Sequence, residues 1–230
     1  YPLTKAGRYP LPQTGYTLWK DLVLKEAALP VHDGKPHDCA AILYSGGTTG
    51  TSKGIQLSNR NFNALGLQTI AASGFGSING MKMLSVMPVF HGFGLAMCMH
   101  VMLYFGMQVF LVPKFDFKAC TKLIFKKKIN HVYAVPALFE ALSRSEEIEK
   151  QDLSFLEMVA FSGDKCSDKL HNRMNKYLKK GGSSEQMTEA YGLTECLSAA
   201  CISPFFAHKQ GSTGLPLPDN KIKMLSKIPS

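Results

Sequence analysis

The sequence predicts an α/β fold, a doubly wound and mostly parallel sheet with helices on both faces. Three observations carry that expectation. Short apolar runs of strand length alternate with segments whose apolar residues recur at helical spacing, five times over between Cys39 and Ala190. Consecutive units of that kind pair in parallel through crossovers, and helices then cover the sheet. At 230 residues and 45% hydrophobic, the chain has enough apolar mass for a real core in one or two domains. Charged residues make up only 19%, which argues against disorder.

Taken in order, the first sixteen residues are rich in proline and glycine, and residues 18–27 read as a short helix with Trp19 as a packing residue. Residues 39–44 are a short apolar run before a glycine cluster, the mark of a buried strand. Ser58 is placed to cap a helix reaching about residue 73, with apolar positions 62, 65, 67 and 70. Residues 81–87 form the next strand and stop at Pro88. Residues 94–107 are apolar and methionine-rich but too short for a membrane span, so they read as a buried core helix with His100 as a satisfied core side chain. A strand at 108–112 precedes a helix capped by Asp116 and running to about residue 129. Residues 131–135 form a strand, and Pro136 opens a helix at its first position, ending in the acidic run 145–149. Then come a strand at 155–161, a helix from Ser167 to Gly181-Gly182, a strand at 185–190 and a further one at 221–225.

In such sheets ligands sit beyond the carboxyl ends of the strands, so the loops after 39–44, 81–87, 155–161 and 185–190 are the ones to read for chemistry. The first, Tyr44-Ser-Gly-Gly-Thr-Thr-Gly-Thr-Ser-Lys-Gly54, holds four glycines, three threonines, two serines and a lysine. Glycines let the backbone approach a ligand closely, and successive N–H groups in such a bend form an anion-binding concavity. With hydroxyl donors and Lys53 added, the stretch reads as a phosphate cradle. The Walker A loop needs glycine directly before its lysine; here Ser52 stands there, so this is not that signature. The second loop, Pro88-Val-Phe-His-Gly-Phe-Gly94, puts His91 between an aromatic and two glycines. The third is Ser162-Gly-Asp-Lys-Cys166. In the fourth, Tyr191-Gly-Leu-Thr-Glu-Cys196, an exposed aromatic offers a flat face to a purine and a carboxylate can hold Mg²⁺ beside phosphate oxygens.

The formal net charge is +9, and basic residues gather in two runs. One spans 114–128 with six lysines; the other spans 165–180. Both read as exposed helix faces, attractive to nucleotide, CoA or acidic lipid headgroups, and hence to peripheral membrane association. Neither is interleaved with the aromatic and glycine pattern of a nucleic-acid reader, so no nucleic-acid partner is expected. Six cysteines show no Cys-x-x-Cys and no zinc spacing. Apolar neighbours at Cys39, Cys98 and Cys201 suggest buried reduced thiols and a cytoplasmic location. The start carries no signal-peptide pattern and no initiator Met, and the chain reads as a fragment.

The four loops together resemble the AMP-forming acyl-adenylate superfamily, which includes acyl-CoA synthetases, luciferases and peptide-synthetase adenylation domains. The first resembles that family's Tyr-Ser-Ser-Gly-Thr-Thr-Gly-x-Pro-Lys-Gly, departing at Gly46 and Ser52. Its Gly-Gly-Thr-Thr-Gly form, and Glu195-Cys196, are similar to bacterial long-chain fatty acid–CoA ligases. The second resembles Pro-x-Phe-His-x-x-Gly, the third, loosely, Ser-Gly-Gly-Ala-Pro-Leu, and the fourth Tyr-Gly-x-Thr-Glu at every defined position. Leu193 points to acyl-CoA synthetases rather than peptide-synthetase domains. A later Gly211-Ser-Thr-Gly-Leu-Pro-Leu-Pro218 resembles a structural turn of the family.

This resemblance implies an enzyme that activates a carboxylic acid, expected to be a fatty acid, with ATP and Mg²⁺ as acyl-AMP and then transfers it to CoA. It implies that Ser45, Gly46, Gly47, Thr48, Thr49 and Gly50 cradle the β- and γ-phosphates, with Lys53 supporting the loop or the leaving pyrophosphate. His91 would lie by the reacting carboxylate and α-phosphate. Gly163 and the backbone of Asp164 would line the adenine, Tyr191 would stack on it with Gly192 beside it in the nucleotide site, Thr194 would bond a phosphate oxygen and Glu195 would ligate Mg²⁺. Phe90, Phe93 and Met97 are candidates for the acyl pocket. Residues 1–37 would end a preceding subdomain, 38–210 form the nucleotide-binding subdomain and 211–230 begin the next. The ribose-binding Asp and the C-terminal lysine of the family would lie beyond Ser230, leaving this piece inactive alone. Alternatives are an aryl-CoA ligase, a fatty acyl-AMP ligase serving a carrier protein, or a non-catalytic interaction module.

Overall fold

The computed structural model describes residues 33–46, 51–74, 76–144, 146–204 and 207–223. A compact unit begins at Lys35, and the description concerns that unit. The helix expected over 18–27, with Trp19, lies outside the described residues.

Among the described residues, seven strands form one sheet: β3 (Lys82–Ser85), β4 (Gln108–Leu111), β5 (His131–Ala134), β6 (Met158–Phe161), β7 (Met187–Tyr191), β8 (Cys201–Ile202) and β9 (Leu215–Pro216). Their order is β4-β3-β5-β6-β7-β8-β9. The first five are mutually parallel; β8 pairs antiparallel with β7, and β9 antiparallel with β8. Strands β5 and β6 are buried at every residue, which is why they read as apolar runs rather than alternating ones. Alternation reappears in the direction each side chain takes. Met83, Tyr133, Met158 and Ala160 enter one core, and Leu84, Val132, Val159 and Phe161 enter the other. The expected two-faced α/β architecture is therefore present.

On the first face lie α1 (Asn59–Ser73) and a π-helix, Phe93–Val101, that runs into the short turn α2 (Met102–Tyr104). On the second lie α3 (Phe117–Lys127), α4 (Pro136–Ser143), α5 (Glu146–Glu149) and α6 (Asp168–Lys180). Three caps sit where the sequence places them. Ser58 accepts from the Asn61 N–H while the Asn61 side chain accepts from the Ser58 N–H. Asp116 accepts from the Ala119 N–H at 2.7 Å, and Ser167 from the Leu170 N–H at 3.2 Å. The apolar segment after Gly92 is a core helix, π-wound rather than α. Its His100 is half-buried, with Nε2 3.2 Å from Asn63 Oδ1. Among the described residues no helix is long and apolar enough to cross a membrane.

The first strand differs from expectation. β1 (Cys39–Ser45) does not join the parallel sheet but pairs antiparallel with β2 (Lys53–Ser58), a strand the sequence reading missed. The connection 46–52 is far shorter than the dozen residues a parallel crossover needs, so the chain must turn back on itself. The ribbon packs by one face: Leu43 and Leu57 are buried, with Ala41 and Ile55 packed beside them, while Cys39 is exposed rather than the buried thiol expected. Two smaller departures follow. Leu67 of α1 faces outward, and residues 221–223 form no strand.

Candidate functional site

Four segments meet in an open cleft of about 440 Å³. The β1–β2 hairpin contributes Ser45, Gly46 and Lys53; the loop after β3 contributes His91 and Phe93. The loop after β6 gives Ser162 and Gly163, and the one after β7 gives Gly192, Leu193, Thr194, Glu195 and Ser198. Gly47, Thr48, Thr49 and Gly50 lie outside the described residues.

The neck of the hairpin is pinned by register and by one side chain. Ser45 pairs with Lys53 across the ribbon, and Ser52 Oγ donates to the Ser45 carbonyl at 3.2 Å. Ser52, which stands where the resembling motif has proline, thus closes the base of the loop by a hydrogen bond. In the next rung Gly54 pairs with Tyr44, and a Cβ at Gly54 would meet Ile42 Cγ2 at 3.2 Å and the Tyr44 ring at 3.5 Å.

His91 is held by its own turn. Its N–H donates to the Pro88 carbonyl at 3.1 Å, its carbonyl accepts from the Leu95 N–H at 2.9 Å, and Nδ1 accepts from the Phe93 N–H at 3.1 Å. An accepting Nδ1 assigns the hydrogen of the neutral ring to Nε2, leaving a donor on a ring that lines the cleft. Gly92 then presses against the Leu197 carbonyl so closely that no Cβ fits, which ties the His91 loop to the loop after β7. That contact was not legible in the sequence.

The loop after β7 is tightened by a single 3₁₀ turn, Thr194–Cys196. The Cys196 thiol accepts from the Leu193 N–H at 3.3 Å and donates back to the Leu193 carbonyl at 3.2 Å. Leu197 closes the turn by donating to the Thr194 carbonyl at 2.9 Å and takes φ 69°. Gly192 abuts the Ser198 carbonyl with no room for a Cβ. Glu195 sits at the middle of this turn with its side chain exposed. Tyr191 and Asp164 do not line the cleft. Tyr191, 46% exposed, flanks it at the end of β7, and the Asp164 carboxylate accepts from the neighbouring Lys165 N–H at 2.7 Å.

Behind the cleft, and sharing Phe93, Ser162 and Ser198 with it, is a mostly apolar cavity of about 40 Å³ between the π-helix and the sheet. Phe93 and Met97 line it; Phe90 does not, being 79% exposed on a different concavity. At the strand side of the cavity Tyr133 Oη lies 3.1 Å from His131 Nδ1, and burial holds His131 down to about 4, so its ring is neutral.

Among the described residues no three His, Cys, Asp or Glu side chains gather as a metal cage, and Glu195 is the one carboxylate lining the cleft. A single carboxylate beside hydroxyls suits Mg²⁺, which takes one or two carboxylates and completes its shell with water and phosphate oxygens. The donor set fits that ion.

The model of the "AMP-binding enzyme" family matches residues 8–227. The chain is 31% identical over 189 residues to a luciferin 4-monooxygenase of Photuris pensylvanica, covering 81% of this chain and 33% of that protein. It is 29% identical over 193 residues to a long-chain-fatty-acid–CoA ligase of Bacillus subtilis, covering 83% and 33%. Among solved structures, ATP-bound MatB from Rhodopseudomonas palustris superposes with a TM-score of 0.70 at 26% identity, over 83% of this chain and 36% of that one. The chain thus spans about a third of the length of the relatives it matches.

Proposed function

Because the chain belongs to the AMP-binding enzyme family, we propose that it is part of an acyl-CoA synthetase, which joins a carboxylic acid to CoA through an acyl-AMP intermediate. The observation that carries this reading is the convergence of Lys53, His91 and Glu195, from three separate segments, on one cleft. In the first step a carboxylate oxygen bonds to the α-phosphorus and the bond to the β-phosphate oxygen breaks, releasing pyrophosphate with its electron pair. In the second a thiolate sulfur attacks the acyl carbonyl carbon and AMP leaves. Both steps redistribute charge on a polyanion, so fixed donors and cations are what the protein must supply.

Lys53 stands at the hairpin neck, where it meets the charge of the leaving pyrophosphate. The Nε2–H of His91 donates to an oxygen of the reacting carboxylate or α-phosphate. Thr194 offers a hydroxyl donor, and Glu195 would hold Mg²⁺, which would supply charge neutralisation at the phosphates. Gly163 and the Asp164 backbone border the adenine on one side, with Tyr191 as its stacking face. The acid's tail enters the cavity lined by Phe93 and Met97. A fatty acid is the first reading, supported by the similarity to the Bacillus subtilis long-chain-fatty-acid–CoA ligase, and its tail would require the cavity to open; an aromatic acid is the second, favoured by the cavity's volume of about 40 Å³. The cleft residues of this chain are expected to bind Mg·ATP. Acid-dependent ATP–pyrophosphate exchange in the parent enzyme, with fatty and aromatic acids in parallel, tests the activity and separates the two substrates. Absence of exchange with every acid would count against it.

A further inference from the structure

Beyond the carboxyl ends of β3, β4 and β5 lies a second concavity, of about 700 Å³, which the proposed reaction does not use. Its walls are apolar, and Val89, Phe90, Leu111 and Phe115 on its rim are all exposed. Contiguous exposed apolar side chains of this size mark interaction surfaces. Helix α3 starts at the same rim. Lys114, Lys118, Lys122 and Lys126 recur every four residues and are all exposed, so those on the helix form one stripe, which Lys127 and Lys128 extend. The only acid between residues 114 and 128 is Asp116, whose carboxylate is engaged in capping the helix. The ion pairs among the described residues are Arg144–Glu140, Arg173–Glu140 and Lys180–Glu149, and none involves this stripe. Helix α6, the other basic element, has Arg173 and Lys180 neutralised in this way.

We propose that the Phe90–Phe115 rim and the lysine stripe of α3 dock this protein peripherally on an anionic lipid bilayer. Aromatic rings settle at headgroup depth, and lysines beside them meet the negative surface potential, each adding to the affinity. The flexible lysine stems reach headgroups without a fixed geometry, as a fluid surface requires. This inference stands apart from the nucleotide reading.

Co-sedimentation of the 230-residue chain with phosphatidylcholine vesicles, with and without phosphatidylglycerol, tests it. Binding is expected only with the anionic lipid and falls as salt is raised. Lys118→Glu/Lys122→Glu/Lys126→Glu lowers partitioning by about tenfold or more, and the milder glutamine triple, chosen to preserve folding, lowers it partway. Phe115→Ser weakens binding even at high salt. Lys169→Glu/Lys176→Glu/Lys179→Glu on α6 leaves it within about twofold, since the charges that matter there lie off the docking face. No binding, equal binding to neutral vesicles, equal loss in both charge-reversal variants, or binding to heparin without binding to vesicles would overturn the proposal.

Discussion

The backbone N–H of Phe93 donates to Nδ1 of His91 at 3.1 Å, which makes the cleft-lining imidazole a donor through Nε2. In the proposed reaction this tautomer would offer a donor to negative charge rather than a base. His91→Ala is expected to lower the adenylation rate of the parent by about a hundredfold, the scale of a lost transition-state donor. His91→Asn, which keeps a side-chain donor, recovers part of that rate. Pyrophosphate exchange measures both.

Lys53 and Glu195 are expected to separate in calorimetry of the 230-residue chain. Lys53→Ala weakens binding of pyrophosphate and ATP by about tenfold, the order of one charge-assisted hydrogen bond, with or without magnesium. Glu195→Ala removes the gain in affinity that Mg²⁺ brings and leaves metal-free nucleotide binding close to wild type.

Two glycines hold the loops together by close approach, and one does not. Gly192→Ala drives a methyl into the Ser198 carbonyl, and Gly92→Ala into that of Leu197, so each should cost about 2 kcal/mol or more in urea denaturation. At Gly46 an added methyl would meet nothing within 4 Å, and Gly46→Ala should leave stability nearly unchanged. Equal destabilisation of all three would contradict this account.

His131 titrates differently in the folded and unfolded chain. Burial lowers its folded value to about 4, whereas the unfolded ring titrates near 6.5. Between those values the unfolded chain binds more protons, so stability is full above about pH 6.5 and is lost as pH falls toward 4. The loss from this one group is on the order of 3 kcal/mol. Urea midpoints across that range should fall more steeply for the native chain than for His131→Gln, which removes the titration; parallel curves would refute it.

What the sequence made legible were the features decided within a few residues. Ser58, Asp116 and Ser167 cap their helices because a side-chain oxygen needs only the N–H three positions on. Strands β5 and β6 were visible because central parallel strands are apolar throughout. Strand β2 was missed because Lys-Gly-Ile-Gln-Leu-Ser is half polar and buries Leu57 alone. The cleft was legible because its loops all follow strands, although β1 reaches it from a separate hairpin. Contacts made across the fold were not: Cys196 as the clasp of the Glu195 turn, and Gly92 against Leu197. Phe90 and Phe93 look equivalent in sequence, yet the turn at His91 sends them to different concavities.

The central claim is that the cleft between the hairpin neck and the Tyr191–Glu195 loop binds the nucleotide. The most direct measurement is a titration of the isotopically labelled 230-residue chain with Mg·ATP, followed by amide chemical shifts. Saturable shifts are expected to cluster at Ser45, Lys53, Phe93, Gly163, Gly192 and Glu195, and to be lost in Lys53→Ala/Glu195→Ala. Shifts confined to other surfaces, or none at millimolar nucleotide, would contradict it.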